Sequence, residues 1–117
     1  MKSLKKTLVI GVDFDGTIVH HVYPGLGEPM PHAFEVMKEL QVAGHRLVLW
    51  TCREGQDLQD AIELCKLHGI EFVSHNKNTK EDAYMWPPST KILTDVFIDD
   101  KNLGGFPGWE KVREMLL

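Results

Sequence analysis

The segment LVIGVDFDGT, residues 8 to 17, joins an apolar run to two closely spaced aspartates. Its first part, Leu8 to Phe14, is nearly continuous in apolar side chains and rich in valine and isoleucine. A short run of this kind is typical of a parallel strand buried on both faces. Asp13 and Asp15 come where this strand ends. The segment therefore predicts an α/β fold with polar chemistry at the end of its first strand.

The rest of the chain alternates between helical periodicity and short apolar runs. In chain order the pattern predicts a loop over 18–30, a helix from Ala33 to a stop at Gly44, a strand over Arg46–Thr51, a helix around Leu58–Cys65 that ends at Gly69, a strand at Ile70–Val73, a loop over 76–90, a strand at Val96–Ile98 and a terminal helix from Trp109 to Leu116. This order predicts a three-layer α/β architecture with a mostly parallel, Rossmann-like sheet. The sequence of 117 residues contains no repeat or linker, so we expect a single domain over 1–117.

Composition limits the classes of partner. The formal net charge is -4, and the only lysine-rich stretch is Lys2–Lys6, so nucleic acid is not the expected partner. Every apolar stretch is far shorter than the roughly 20 residues of a membrane span, which predicts a cytoplasmic protein with no membrane partner. Cys52 and Cys65 lack a C-x-x-C spacing, which favours buried small hydrophobic residues over a zinc site or a disulfide.

The residues that carry chemistry follow the predicted strands. Ligands bind outside the carboxyl ends of the strands in open α/β sheets. The polar residues expected at that edge are Asp13, Asp15, Gly16, Thr17, Thr51, Cys52, Arg53, Lys91, Asp99 and Asp100. Carboxylates this close repel each other and need a cation. Oxygen ligands with no neighbouring histidine or cysteine suit Mg²⁺, which is the predicted cofactor.

These motifs resemble those of the haloacid dehalogenase superfamily. Asp13, Asp15 and Thr17 match its first motif, D-x-D-x-T. Thr51 matches the hydroxyl residue that ends a second apolar strand, and Lys91 matches the lysine of the third motif. An acidic pair ending another strand, Asp99–Asp100, matches the fourth. All four occur in the family's order across residues 13 to 100, so the resemblance covers nearly the whole chain and implies a phosphatase with a HAD-like core.

The resemblance implies a role for each catalytic residue. Asp13 attacks phosphorus to form an aspartyl-phosphate, and Asp15 acts as general acid and then general base. Thr51 donates to a phosphoryl oxygen, and Lys91 stabilises negative charge in the transition state. Dehalogenases and phosphonatases of this superfamily lack an aspartate at the second position, so Asp15 favours phosphate-ester chemistry.

The same resemblance implies the metal and phosphate ligands. Mg²⁺ would be held by the Asp13 carboxylate, the Asp15 backbone carbonyl and Asp99, while Asp100 would hold Lys91 or a metal-bound water. The candidate phosphate-contacting residues are Gly16, Thr17, Thr51, Cys52, Arg53 and Lys91.

Several assignments stay open at this level. Lys77 competes with Lys91 for the catalytic role, and Arg53 is equally well explained by a phosphate contact or a surface ion pair. His20 and His21 follow the first motif and are candidates for substrate contact, although exposed loop histidines are the simpler explanation.

The motif spacing leaves no room for a cap domain. The site is therefore expected to be open to small phosphate esters or to a phosphate on a larger molecule, unless the 18–30 loop or a homo-oligomer partner covers it. The alternatives to a phosphatase are a receiver-like phospho-acceptor, a catalytically silent phosphate-binding module and a phosphotransferase. Receivers carry the acidic pair after the first strand, which is the opposite of the order found here.

Overall fold

The computed structural model describes residues 6–76 and 94–117, which contain four strands and three helices. In chain order these are β1 (Val9–Asp13), α1 (Ala33–Val42), β2 (Arg46–Trp50), α2 (Gly55–Leu67), β3 (Ser74–His75), β4 (Val96–Ile98) and α3 (Trp109–Leu116). All strands pair in parallel, in the order β3-β2-β1-β4, so β1 is an inner strand. The predicted α/β fold with a parallel, Rossmann-like sheet is confirmed.

One hydrophobic cluster joins the sheet to the described helices. Ile10 and Val12 of β1 are fully buried, and the parallel register sets them beside Leu47 and Leu49 of β2 on the same face. The cluster also includes residues from each helix: Val36 and Leu40 from α1, Ala61 and Cys65 from α2, and Trp109 and Val112 from α3.

The predicted element boundaries agree closely with the structure except at the third strand and at the start of helix α2. That strand was expected at Ile70–Val73, but the ladder with β2 is at Ser74–His75. Ile70 is buried in the core as the chain leaves α2, and the amide of Val73 is the first to bond to β2, through Leu47. The apolar character of residues 70–73 therefore reflects packing ahead of the strand. Helix α2 also begins earlier than expected, at Gly55.

Only a loop separates β1 from α1, as predicted from the spacing. This loop is closed by two isolated bridges, which pair Val19 with Asp15 and with Pro29. Residues 77–93, which contain most of the predicted 76–90 loop, lie outside the described ranges. None of the helices within residues 6–76 and 94–117 has the length and apolar character needed to cross a bilayer. The cytoplasmic location stays a prediction.

Helix α3 is anchored at both ends to other parts of the fold. Its first residue, Trp109, is 2% exposed, and its indole Nε1 donates to the backbone carbonyl of Thr17 at 2.8 Å. Further along, Arg113 pairs with Glu35 and Glu39 of α1 and with Glu110. The turn that follows β1 is therefore held from behind by the terminal helix.

Replacing the indole should show how much this anchor contributes. In Trp109→Phe the Thr17 carbonyl loses a buried donor, which should lower the free energy of unfolding by about 1–3 kcal/mol. Denaturant unfolding followed by circular dichroism measures the change. Trp50→Phe is the matched control, because Trp50 is 37% exposed and its loss should cost less than about 0.5 kcal/mol. Equal stability of the two variants would contradict the anchoring role.

Candidate active site

A cavity of about 620 Å³ opens where β1, β2 and β4 end. It is lined by Asp13, Asp15, His21, Tyr23, Trp50, Thr51, Cys52, Arg53, Asp99, Asp100 and Lys101. The parallel strands explain this convergence, because their carboxyl ends meet at one edge of the sheet. The first-strand aspartates, the Thr51–Arg53 segment and the acidic pair are thus brought together, as the sequence predicted.

Three carboxylates form a cluster at the centre of this edge. Asp13, Asp99 and Asp100 each offer one oxygen, and these oxygens all lie within 4.8 Å of one another. Two unit charges 4.8 Å apart repel by about 3 kcal/mol at an effective dielectric constant of about 20. All three residues are half-buried, which limits the relief that water can give. A donor set made only of carboxylate oxygens fits Mg²⁺.

Asp13 shows the electrostatic effect of this arrangement. Burial, followed by the negative charge of Asp99, raises the pKa of Asp13 from 3.8 to about 7. The Thr17 hydroxyl donates to Asp13 Oδ2 at 3.1 Å, which favours the ionised form and partly opposes the shift. The carboxyl group of Asp13 is therefore harder to ionise than an ordinary aspartate, and a nearby cation would favour its charged form.

Thr17 acts on Asp13 in the structure. The sequence suggested that Thr17 contacts phosphate, but its side chain is fully buried and its hydroxyl points at the nucleophile candidate. Its carbonyl accepts the hydrogen bond from Trp109. Thr17 therefore orients Asp13 in this conformation, and its predicted contact with phosphate stays a prediction.

Gly16 lets the acidic pair approach the end of β1. Its backbone has φ +86°, a conformation that residues with a Cβ rarely adopt. A Cβ at this position would lie 2.2 Å from Oδ2 of Asp100. The absence of a side chain at Gly16 is therefore a condition for the carboxylate cluster.

The side chain of Asp15 points to a different partner. Its Oδ2 and Oδ1 accept from Nε and Nη2 of Arg53, both at 2.8 Å. The resemblance implies that Asp15 binds the metal only through its backbone carbonyl, and that assignment stays a prediction. The ion pair suggested for Arg53 is present, but it is buried rather than on the surface, since Arg53 is 1% exposed.

The segment after β2 is held by one local hydrogen bond and one to Asn76, 25 positions further along the chain. The Thr51 hydroxyl oxygen accepts from the backbone amide of Arg53 at 3.1 Å, and its own O–H has no acceptor among residues 6–76 and 94–117, so it can donate into the cavity. The backbone amide of Thr51 donates to the Asn76 side chain at 2.8 Å. Cys52 is an exposed free thiol beside them. Asn76 was not singled out from the sequence, and in the structure its backbone has a positive φ of 53°.

Other residues of the cavity wall were missed or only partly expected. Of the two loop histidines, His21 lines the cavity, while the backbone amide of His20 donates to Glu28. Tyr23, Trp50 and Lys101 also line it, and no motif marks them in the sequence. The two candidate lysines, Lys91 and Lys77, lie outside the described residues.

The fold has a close relative among solved structures. A conserved protein from Bacteroides thetaiotaomicron is 48% identical to this chain, with a TM-score of 0.87 over 94% of this chain and 89% of the other. The chain belongs to the same family as that protein. No protein-family model matches the sequence, and the comparison with curated proteins also gives no match. The family relationship names no activity, so the chemistry has to be argued from the site.

The close approach at Gly16 can be tested with a matched pair of substitutions. Gly104 has a similar φ of +89° but nothing within 4 Å of its Cβ position, so Gly104→Ala measures backbone strain alone. We expect that strain to cost about 1–2 kcal/mol. Gly16→Ala should cost more and should also weaken the rise in melting temperature caused by Mg²⁺, because Asp100 is displaced. Equal losses in the two variants, with unchanged Mg²⁺ response, would contradict this account.

The raised pKa of Asp13 predicts how stability depends on pH without metal. Between 3.8 and about 7 the folded protein holds a proton on Asp13 that the unfolded chain has released, so stability falls as pH rises through this range. Thermal unfolding in chelator should show this fall in the wild type and a smaller one in Asp13→Asn. Mg²⁺ should stabilise the wild type more at about pH 8 than at about pH 5, because its ligand must be ionised. The same slope in both proteins would contradict the assignment.

Proposed function

We propose that this chain is a Mg²⁺-dependent phosphatase that hydrolyses phosphate monoesters through an aspartyl-phosphate on Asp13. The observation that carries the proposal is the cluster at the end of β1, where oxygens of Asp13, Asp99 and Asp100 lie within 4.8 Å beside an open cavity. A second carboxylate, Asp15, lines the same cavity. A nucleophile with a neighbouring acid–base group is the arrangement that covalent catalysis requires.

In the first step, an Asp13 oxygen attacks phosphorus and the bond from phosphorus to the ester oxygen breaks. The leaving oxygen takes its proton from the protonated form of Asp15, which carries that proton on an oxygen lone pair that Arg53 does not use and then becomes a carboxylate. The nucleophile is oriented for this attack by the hydroxyl of Thr17, which is fixed by burial. The alcohol leaves, and phosphate stays bound to Asp13.

In the second step, a water attacks the same phosphorus and the bond to Asp13 breaks. Asp15 takes the proton from this water, which restores its starting protonation, and inorganic phosphate is released. The volume of the open cavity, about 620 Å³, supports entry of the water that this step needs. The same openness favours hydrolysis over transfer to another acceptor, because transfer usually requires that water be excluded.

Asp13, Asp99 and Asp100 would hold the Mg²⁺. When bound, the ion would offset the repulsion between these carboxylates and the phosphoryl oxygens. Thr51 would donate its free O–H to a phosphoryl oxygen, and a lysine, proposed as Lys91, would stabilise the transition state. Lys101 is a further cation that lines the cavity.

The presence of Asp15 beside Asp13 supports a phosphatase over a receiver-like module. A receiver needs a long-lived aspartyl-phosphate, and a general base next to it would shorten that lifetime. Asp15 is such a base, two residues from the nucleophile. The substrate is proposed only as a phosphate monoester, either a small molecule or an accessible phosphate on a larger one.

Asp13→Asn tests the proposed function directly. Purified protein is incubated with 4-nitrophenyl phosphate and a panel of phosphorylated metabolites, with Mg²⁺ or with chelator. We expect many turnovers by the wild type with Mg²⁺, none in chelator and none by Asp13→Asn, because an amide cannot attack phosphorus. Asp60→Asn makes the same chemical change on α2, where Asp60 bonds only to Gln56 among the contacts described, and should keep full activity.

Two results would contradict the proposal. Full turnover by folded Asp13→Asn would exclude this residue as the nucleophile. Retention of one phosphate per protein without further turnover would favour the receiver-like alternative.

A further inference from the structure

Arg53 is bound on all sides by groups of the protein. Its Nε and Nη2 hold the two oxygens of Asp15, and Nη2 also donates to the carbonyl of Gly25 at 2.7 Å. Nη1 donates to the carbonyls of Pro24 at 3.1 Å and Asp57 at 3.4 Å. These contacts use all five N–H donors of a guanidinium group. Arg53 therefore has no donor left for a substrate phosphate in this conformation.

The packing around the guanidinium also fixes its orientation. Its central carbon lies 4.9 Å from the ring centre of Phe14 and 5.1 Å from that of Tyr23. Hydrogen bonding to Asp15 raises the pKa of Arg53, so the side chain stays charged. A charged group that is 1% exposed is tolerable only because every donor is paired.

Two elements of the site depend on this one side chain. The first is the flap segment, residues 20–28, in which every side-chain-bearing residue is exposed. Exposed side chains give it few core contacts, so its ties to the body are polar: the Arg53 bonds to Pro24 and Gly25, and a 3.5 Å bond from Tyr23 to Asp57. The flap segment includes His21 and Tyr23, which line the cavity.

The second element is the carboxylate of Asp15. A carboxylate has about four lone-pair sites, and Arg53 occupies one on each oxygen, which leaves two for another partner. The Asp15 side chain is 14% exposed and lines the cavity. A fork-shaped pair of bonds fixes the plane of the carboxylate, which a single bond would not do.

We propose that Arg53 is a positioning residue that holds Asp15 in the orientation for proton transfer and, with the same group, holds the flap segment against the cavity. This inference rests on the proposed function, since it assigns Asp15 to proton transfer. It makes Arg53 act through Asp15 and assigns it no contact with substrate.

Arg53→Lys tests the inference because lysine keeps the charge but cannot form the fork. With a phosphate ester of an alkyl alcohol, whose leaving oxygen needs a proton, kcat should fall by about 10–100-fold. With 4-nitrophenyl phosphate, whose leaving group needs no proton, the first step, measured as the burst of nitrophenolate, should slow by less than about threefold. The later hydrolysis of the aspartyl-phosphate still needs Asp15 as a base. Asp15→Asn should show the same contrast, and adding Arg53→Lys to it should cause little further loss for the alkyl ester.

Arg113→Lys is the matched control. Arg113 also holds several carboxylates, but it joins α3 to α1 away from the cavity. Its substitution should lower stability without changing the ratio of activities on the two esters. If Arg53→Lys slows formation of the aspartyl-phosphate equally from both esters, or adds its full effect to that of Asp15→Asn, the positioning role is overturned and Arg53 is a structural anchor only.

Hydrogen exchange gives a readout that does not require activity. The amides of His20 and Gly25 bond to Glu28 and Val22 within the flap segment. In Arg53→Lys they should exchange faster, while the α1 amides keep the wild-type rate. Unchanged exchange in the flap segment would overturn its tie to Arg53. If the wild type cleaves no phosphate ester, the proposed function and the proton-transfer role fail together. The exchange result still shows whether Arg53 holds the flap segment.

Discussion

The parallel pairing of β1 with β4 is the constraint on which the site depends. Val12 pairs with Ile98, so the chain leaves both strands at the same level, at Asp13 and Asp99. The two carboxylates are side by side because of this register, and the sheet cannot relieve their repulsion without losing core pairs such as Ile10–Val96. Burial of the apolar face therefore offsets the repulsion between carboxylates at the carboxyl ends of β1 and β4. A bound cation is the simplest group that would remove this repulsion.

Much of this arrangement could be predicted because it follows from local patterns. The apolar run of β1 marks an inner strand, and aspartates at its end must lie at the sheet edge where ligands bind. The same reasoning applies to Thr51 after β2 and to the acidic pair after β4. Helices α1 and α3 were predictable from apolar spacing. These features depend on residues that are close in sequence, so a single chain contains the required information.

The features that could not be predicted depend on distant partners. Asp15 and Arg53 are separated by 38 positions, and the local sequence around either residue does not indicate that the two side chains form an ion pair. The carbonyls that complete the arginine's bonds belong to a loop whose path has no periodic signal. The position of β3 was wrong for a related reason: apolar residues before a strand and within it look alike until the register with β2 is known. The contact between Gly16 and Asp100 likewise exists only after β4 is in place.

The bond between the Trp109 indole and the Thr17 carbonyl spans 92 positions of the chain. Thr17 in turn orients Asp13. The turn after β1, which lies early in the sequence, is therefore held in place by α3, which lies late in it. A chain that has not yet been synthesised to residue 109 lacks this support, whatever structure its earlier strands have formed. Long-range contacts of this kind form late because the intervening chain must first be ordered. During synthesis on the ribosome, the Asp13 carboxylate would therefore reach its final orientation only after helix α3 has emerged and docked.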